Sequence, residues 1–340
     1  MNIGIIGTGY VGLITGVMLS EYHKVNCFDI DKDKIEKLNN KEIPIYEKDL
    51  ENYFNKKFNK SLFFTTDVKE FIENNEVLFI AVGTPPNEDG SADLKYVYEV
   101  ARTIGQHINS YKVIVDKSTV PIGTAKNVKS IIKEELLNRK IDIPFDVVSN
   151  PEFLREGNAM YDVVFPDRVV IGYDSEKAIE VMREVYSFYS SKRIPIIETN
   201  IESAEFIKYA SNAFLAVKIS YINELSKLAE KVGANIIDIA KGMGFDKRIG
   251  NKFLNAGCGF GGSCFPKDTR ALVEIAKKND MQLQIVESAV KANIAQKERM
   301  VEKIMEKMQS IENKIIAVWG LTFKADTDDT REAPSLYIIS

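Results

Sequence analysis

The chain has 340 residues, with 45 Lys and Arg against 49 Asp and Glu, so its formal net charge is −4. A content of 45% hydrophobic and 28% charged residues is typical of a folded globular protein and excludes a disordered chain. Because no Lys/Arg block offers a phosphate-neutralising face and no apolar run reaches about 18 residues, we expect neither nucleic-acid binding nor a membrane span.

Three cysteines in this length cannot form a disulfide framework, which indicates a reducing, cytoplasmic compartment. The sequence also lacks the paired His and Cys spacings of zinc sites, so we predict no metal.

The N-terminal segment predicts a strand, a tight turn and a helix. The apolar run 2–6 leads directly into Gly7-Thr8-Gly9-Tyr10-Val11-Gly12, the pattern G-x-G-x-x-G, and a helical segment then runs to about residue 23. Gly7 permits the turn, Gly9 lets the backbone approach a pyrophosphate, and Gly12 allows the helix to pack closely on the strand. The N–H groups of the first helical turn attract the phosphates.

A second predicted strand, residues 24–29, ends in Asp29, which lies 22 residues after Gly7. In dinucleotide-binding folds, a carboxylate at this place binds the ribose hydroxyls. Since the same carboxylate would repel a 2′-phosphate, the sequence predicts NAD as the cofactor rather than NADP.

Further apolar runs follow at the spacing of parallel strands: 77–82, 112–116 and 145–149. Amphipathic segments lie between them, at 94–108 and 124–137. This alternation predicts a doubly wound parallel sheet. Ligands bind such sheets beyond the carboxyl ends of the strands, where this chain has the polar loops 83–86, 117–124 and 150–157. Ordinary turn chemistry explains the composition of those loops equally well.

From about residue 200 the pattern changes to long helices, and 201–231 is predicted as one helix. Lys208 and Asn212 are four residues apart, so their side chains share one face of that helix. An amine and an amide there could hold a hydroxyl group and control its proton, but the spacing alone favours a solvated pair. A helix of this length favours a connection between domains or a dimer interface.

A glycine-rich segment, residues 253–268, contains two cysteines. A proline then opens a predicted helix, so Cys264 lies just before a helix N-terminus, and Lys267 adds a cation three residues on. Both features stabilise a thiolate, and we predict that Cys264 is a nucleophile. Asp268 could accept a proton or position a water. Cys258 lacks the helix placement, and the alternative for Cys264 is the buried inert role common to unpaired cysteines.

These motifs together resemble the UDP-glucose/GDP-mannose dehydrogenase family, and within it the UDP-glucose 6-dehydrogenase branch. The resemblance covers essentially the whole chain. The matching stretches are GTGYVG at 7–12, VGTPP at 82–86, KSTVPIGT at 117–124, NPEFLREG at 150–157, EFIKYASNAFLA at 205–216, GFGGSCFPKD at 259–268 and LTFKADTDDTREAPS at 321–335. The resemblance implies a four-electron oxidation, in which the primary alcohol of a UDP-sugar becomes a carboxylate while two NAD are reduced.

The resemblance also implies roles for individual residues. Cys264 captures the aldehyde-level intermediate and carries a thioester, and Lys208 and Asp268 handle the alcohol proton and water. Asn212 completes an oxyanion site with Lys208, and Glu152 is the base in thioester hydrolysis. The implied catalytic residues are Cys264, Lys208, Asn212, Asp268, Glu152 and Thr119, the last of these near the nicotinamide.

Two sets of binding residues are implied in the same way. The expected cofactor contacts are Gly7, Gly9, Tyr10, Val11, Gly12, Asp29, Lys34, Thr84, Thr119, Glu152, Lys267 and Arg331. The expected substrate contacts are Glu152, Phe153, Leu154, Arg155, Lys208, Asn212, Arg248, Phe253, Asn255, Gly257, Gly261 and Lys324.

The implied fold class is α/β, with an N-terminal Rossmann-like doubly wound sheet, a central long-helix region and the start of a second Rossmann-like domain. We expect an NAD-binding domain at 1–199, a connecting and dimerising domain at 200–302, and the incomplete beginning of a UDP-binding domain at 311–340. Residues 313–321 predict its first strand and 331–340 the start of its first helix. We expect the protein to form a homodimer, to bind NAD normally and to bind nucleotide-sugar weakly.

Three alternatives remain open at this point. The sugar nucleotide could be a UDP-N-acetylhexosamine or GDP-mannose, which differ from UDP-glucose by few contacts. A 3-hydroxyacid dehydrogenase would share the Rossmann domain and the Lys–Asn pair but would not need a nucleophilic cysteine. A catalytically inactive NAD-binding assembly subunit would not need the full set of catalytic residues.

Overall fold

A computed structural model describes all residues from 1 to 340. Its strands are β1 (Asn2–Ile6), β2 (Lys24–Phe28), β3 (Leu62–Thr65), β4 (Val77–Ile80), β5 (Lys112–Asp116), β6 (Phe145–Ser149), β7 (Val169–Gly172) and β8 (Ile196–Thr199). Its helices are α1 (Tyr10–Leu19), α2 (Lys32–Asn39), α3 (Leu50–Lys57), α4 (Val68–Asn74), α5 (Lys95–His107), α6 (Thr124–Asn138), α7 (Ala159–Val164), α8 (Glu176–Val185), α9 (Ile201–Val232), α10 (Ile236–Gly244), α11 (Phe265–Lys277), α12 (Gln284–Met308) and α13 (Pro334–Ile339). A 3-10 helix covers Ser187–Lys192.

The chain divides into two units, one formed by residues 1–85 and 92–208 and the other by residues 86–91 and 209–340. Helix α9 begins in the first unit and ends in the second. None of the helices combines the length and the apolar character that a membrane crossing requires.

The first unit is built on one eight-stranded sheet with the order β3-β2-β1-β4-β5-β6-β7-β8. Strands β1 to β6 are all parallel, in the order of a doubly wound dinucleotide-binding sheet. The predicted fold class is therefore confirmed. Strand β7 runs antiparallel to β6, and β8 is parallel to β7.

The sheet is buried on both faces, as parallel sheets require. One core cluster combines strand residues such as Ile5 and Val115 with helices α1, α3 and α8. The other combines residues such as Leu78 and Ile114 with helices α4, α5 and α6. Cys27, in β2, belongs to the first cluster and is fully buried, which raises the pKa of its thiol well above the ordinary value.

The second unit is helical, and the strand predicted at 313–321 is not formed. Residues 315–321 have no regular secondary structure, and Ile315 and Trp319 are fully exposed. A strand depends on backbone hydrogen bonds to a neighbour, and no strand of the described chain lies beside this segment. The predicted helix at 331–340 does form, as the shorter α13.

Candidate functional site

The glycines of the nucleotide turn cannot be replaced without moving the backbone, except for one. Gly7 has φ +97°, and a Cβ there would lie 2.7 Å from the carbonyl oxygen of Ala81. A Cβ at Gly12 would lie 1.9 Å from the carbonyl oxygen of Gly7, because α1 packs directly on the turn. Gly9 differs, since nothing lies within 4 Å of its Cβ position. The turn therefore leaves open space at Gly9, which is where a pyrophosphate approaches.

The first turn of α1 is available to an anion. Gly9 is the N-cap residue and offers no capping side chain, and no acidic residue lies in the first turn. The first N–H groups of a helix have no partner within the helix, so they form a phosphate site. These residues fit the dinucleotide cofactor that the sequence predicts.

Asp29 follows β2 directly and is 8% exposed. Its carboxylate accepts hydrogen bonds from the backbone N–H and the hydroxyl of Thr8, both at 2.8 Å, and from Lys34 Nζ at 3.0 Å. Burial opposes ionisation, but these hydrogen bonds and one from the backbone of Asp31 bring the pKa of Asp29 below its ordinary value. A fixed carboxylate at this position is suited to accept from ribose hydroxyls.

Replacing Gly9 by alanine should weaken NADH binding about tenfold or more without loss of thermal stability. The residue has φ −72°, which alanine adopts freely, and the added methyl would occupy only the space beside the phosphate site. Fluorescence titration with NADH measures the first effect and a melting curve the second.

Gly242→Ala is the matched control for Gly9→Ala, because its Cβ position is equally open but lies in α10. If Gly9→Ala bound NADH as tightly as the parent chain, Gly9 would not be part of the phosphate site.

Lys208 and Glu152 form a buried ion pair in the first unit. Lys208 Nζ lies 2.8 Å from Glu152 Oε1 and donates to the Glu152 carbonyl oxygen at 2.7 Å. Both residues are less than a tenth exposed. Burial alone would raise the pKa of Glu152, but the charge and hydrogen bond of Lys208 bring it below its ordinary value.

A second, half-buried lysine interacts electrostatically with the same carboxylate. Lys117 Nζ donates to Asn150 Oδ1 at 3.1 Å, and that oxygen also accepts from the Tyr186 hydroxyl at 2.6 Å. Burial lowers the pKa of Lys117 to about 8, opposed by the charge of Glu152 and reinforced by that of Lys208. Lys208, Lys117 and Glu152 together carry two positive charges and one negative charge, which favours an additional negative charge on a bound molecule.

The loop after Glu152 presents an aromatic ring to the same group. The Phe153 ring lies 3.5 Å from the Arg168 guanidinium and 5.4 Å from Lys208 Nζ. Leu154 N–H donates to Glu152 Oε2 at 2.6 Å. The fourth predicted substrate residue of this loop, Arg155, is engaged by Asp162 at 2.5 Å.

Loops at the carboxyl ends of β4 and β5 meet at two predicted cofactor residues. The Thr84 hydroxyl donates to the carbonyl oxygen of Thr119 at 2.9 Å. Ser118 donates to the carbonyl oxygen of Val82 at 2.7 Å, which ties the same two loops together.

In the second unit, the Asp268 carboxylate contacts two predicted catalytic or binding residues. Its Oδ2 accepts from Asn212 Nδ2 at 2.6 Å, and its Oδ1 lies 2.6 Å from Lys267 Nζ. Asp268 is 1% exposed and lies in the first turn of α11. Cys264 is the N-cap residue of that helix, as predicted, and its Sγ lies 3.5 Å from Ser263 Oγ.

The expectation that Lys208 and Asn212 are a solvated pair is wrong. They lie one turn apart on α9 and are 3% and 7% exposed. Each is held by a carboxylate, Glu152 and Asp268 respectively. The spacing of four residues predicts that the two side chains share one face of the helix, but their burial depends on the segments that pack against that face.

The glycine-rich loop packs against the segment that precedes α13. A Cβ at Gly261 would lie 2.3 Å from the Glu332 carbonyl oxygen, and Gly262 N–H donates to the Arg331 carbonyl oxygen at 2.8 Å. Gly257 N–H donates to Asn223 Oδ1 at 2.8 Å. The ring of Phe253 lies 6.1 Å from that of Phe265, the first residue of α11.

Some predicted binding residues are engaged at the surface. Arg248 pairs with Asp246 at 2.6 Å and Arg331 with Asp329 at 2.8 Å, with the arginine side chains 89% and 67% exposed. The assignment of these two guanidinium groups to ligands remains a prediction, as it does for Val11, Asn255 and Lys324.

Two buried carboxyl groups were not predicted from the sequence. Asp116, the last residue of β5, is 1% exposed, and neither carboxyl oxygen has a hydrogen-bond partner. Glu205, on α9, accepts from Gly123 N–H at 2.6 Å and Ala125 N–H at 2.9 Å. Burial and the charge of Glu205 raise the pKa of Asp116 to about 8, and burial raises the pKa of Glu205 to about 7.

Comparisons with known proteins agree over both units. Residues 1–190 match the NAD binding domain of the UDP-glucose/GDP-mannose dehydrogenase family, and residues 202–295 match its central domain. The chain is 49% identical over 340 residues to the UDP-glucose 6-dehydrogenase TuaD of Bacillus subtilis (strain 168), covering 99% of this chain and 72% of that protein.

Solved structures give the same result. A UDP-glucose dehydrogenase from the hyperthermophilic archaeon Pyrobaculum islandicum matches with a TM-score of 0.93 and 36% identity, over 99% of this chain and 78% of that one. A UDP-D-ManNAc dehydrogenase from Pyrococcus horikoshii matches with a TM-score of 0.89 and 27% identity, over 100% of this chain and 80% of that one.

Proposed function

Because the chain belongs to the UDP-glucose/GDP-mannose dehydrogenase family, we propose that it oxidises the primary alcohol of UDP-glucose to the carboxylate of UDP-glucuronate. The balanced reaction consumes one water and two NAD and releases two NADH and three protons. NAD supplies the chemistry of hydride acceptance at each of the two oxidations. The observation that carries the proposal is Cys264 at the N-terminus of α11, followed in the first helical turn by the buried Asp268.

The first oxidation needs a base for the alcohol proton. A water held by Asp268 receives that proton, and the Lys208 ammonium, paired with the Glu152 carboxylate at 2.8 Å, stabilises the negative charge that develops on the alcohol oxygen. As the alcohol loses its proton and a hydride, it becomes an aldehyde. Phe153 and the neighbouring loop exclude water from Lys208, which strengthens the electrostatic effect of the ion pair.

The second oxidation passes through a bond to sulfur. The Cys264 thiolate attacks the aldehyde carbon, and the resulting thiohemiacetal oxygen is stabilised by the Lys208 ammonium and the Asn212 amide. Loss of a second hydride, with the hydroxyl proton, leaves a thioester. Because the intermediate is covalently bound, no aldehyde is released between the two oxidations.

Hydrolysis of the thioester returns the thiol. Glu152 accepts a proton from the attacking water, and its lowered pKa keeps it ionised for this role. Asp268 orients the water, with its own carboxylate fixed by Asn212 and Lys267. Thr119 is assigned to the nicotinamide side, where its backbone is fixed by Thr84.

The stoichiometry of NADH tests the proposal. We expect two NADH for each UDP-glucose consumed, measured by absorbance at a limiting sugar concentration, with UDP-glucuronate as the only sugar product. One NADH per sugar, with an aldehyde product, would overturn the cysteine mechanism. Turnover of GDP-mannose or a UDP-N-acetylhexosamine in preference to UDP-glucose would overturn the substrate assignment and leave the chemistry standing.

Two further parts of the proposal concern assembly and location. We propose a homodimer, supported by the exposed apolar residues Ile237 and Phe245 at and just after α10. Light scattering at micromolar concentration tests this, and a monomeric mass would contradict it. We propose a cytoplasmic location, supported by the thiol chemistry, which requires a reducing compartment.

A further inference from the structure

Glu47 lies in the connection between α2 and α3 and is 7% exposed. Its Oε2 accepts from the Tyr10 hydroxyl and from Gly157 N–H at 2.7 Å, and its Oε1 accepts from Ala159 N–H at 2.8 Å. One buried carboxylate thus holds three donors from two distant parts of the chain.

The two parts that Glu47 joins have distinct places in the first unit. Tyr10 is the first residue of α1, directly after Gly9, whose backbone forms the phosphate turn. Gly157 lies in the loop that begins after β6 and contains Glu152 and Phe153, and Ala159 is the first residue of α7, which follows that loop. The hydrogen bonds of the Glu47 carboxylate therefore join the cofactor turn to the loop assigned to the sugar nucleotide.

Further contacts hold Glu47 and its hydrogen-bond partners in place. The backbone of Glu47 accepts from Leu50 N–H at 3.3 Å, and Leu50 is fully buried. The N-cap residue of α7, Asn158, makes no side-chain cap, so Glu47 supplies the cap from a distant segment. Burial and the Glu47 carboxylate raise the pKa of Tyr10 well above its ordinary value, so its hydroxyl remains a donor.

We infer that Glu47 is a positioning residue, which holds the cofactor turn at Tyr10 and the 150–157 loop in one arrangement and so couples NAD binding to sugar-nucleotide binding. The sugar half of this inference rests on the proposed function. Since coupling is reciprocal, each ligand tightens the binding of the other by the same factor.

Glutamine cannot replace Glu47 in this role. All three partners are donors, and they contact both carboxylate oxygens. An amide has one accepting oxygen and one NH2 group, so it must face at least one backbone N–H with another donor. Glu47→Gln keeps the size of the side chain but cannot accept hydrogen bonds from all three donors at once.

The test is an NADH fluorescence titration, with and without saturating UDP-glucose. We expect Glu47→Gln to weaken NADH binding about tenfold, the effect of losing a charge-assisted hydrogen bond, and to abolish any tightening by UDP-glucose. Tyr10→Phe should weaken NADH binding as well, and the double variant should bind no more weakly than Glu47→Gln alone. Glu42→Gln, an exposed position in the same connection, should behave like the parent chain.

Several outcomes would overturn the inference. Unchanged NADH affinity in Glu47→Gln would do so whatever the substrate is, and so would additive effects of Glu47→Gln and Tyr10→Phe. Retained tightening by UDP-glucose in Glu47→Gln would also overturn it. Failure of the proposed function gives a different result, in which the parent chain does not turn over UDP-glucose. In that case, weakened and non-additive NADH binding in the variants would still support the role of Glu47 at the cofactor turn.

Discussion

Cys264→Ser should lower NADH formation from UDP-glucose by at least about a thousandfold, since it removes the nucleophile of the covalent route. A serine hydroxyl is not ionised near neutral pH, and its ester would hydrolyse more slowly than a thioester. Serine is also a preferred N-cap residue, so α11 should keep its start and the fold its stability. Initial rates at saturating NAD and a melting curve measure the two effects.

The matched control for Cys264→Ser is Cys258→Ser, in the same glycine-rich segment but exposed. We expect it to keep the parent rate and the ratio of two NADH per sugar. A Cys264→Ser variant that retained a tenth of the parent rate with the same ratio would exclude the sulfur adduct. A 3-hydroxyacid dehydrogenase would show one NADH per substrate and no loss in this variant.

Asp116→Asn should stabilise the protein, and the gain should grow as the pH rises. Burial and the charge of Glu205 raise the pKa of Asp116 from its ordinary 3.8 to about 8. Between these values the unfolded chain releases the proton and the folded chain keeps it, so the free energy of unfolding falls with rising pH. The full shift is worth at most roughly 6 kcal/mol. Asparagine has nearly the shape of the protonated acid and does not titrate.

Melting curves of the parent chain and of Asp116→Asn from pH 4 to pH 8 measure this effect as the difference between their melting temperatures at each pH. We expect similar melting temperatures near pH 4 and a variant more stable by several degrees at pH 8. Asp142→Asn, at an exposed aspartate before β6, should show no such trend. A variant less stable than the parent at pH 8 would mean that the Asp116 carboxylate is stabilised in the folded chain.

Features carried by neighbouring residues could be predicted from the sequence. The turn from Gly7 to Gly12, the carboxylate of Asp29 after β2 and the place of Cys264 at a helix start depend on a few consecutive residues. Strands β1, β2, β4, β5 and β6 could also be predicted, because buried parallel strands have continuous apolar runs.

Features that depend on distant parts of the chain could not be predicted. Lys208 and Glu152 are separated by 56 residues, and Glu47 and Ala159 by 112. No local pattern marks Glu47, which lies in an ordinary polar connection. The strand predicted at 313–321 shows the converse: its apolar pattern is suitable, but a strand also needs a neighbouring backbone.

The thiol of Cys27 can report on opening of the sheet. Cys27 is the fourth of the five residues of β2 and has no exposed surface, so a thiol-specific reagent can reach its sulfur only in molecules in which this part of the sheet has opened. The exposed Cys258 reacts without any opening. The rate at which Cys27 becomes modified, followed by peptide mass spectrometry, would therefore count opening events of the nucleotide-binding sheet while most molecules remain folded.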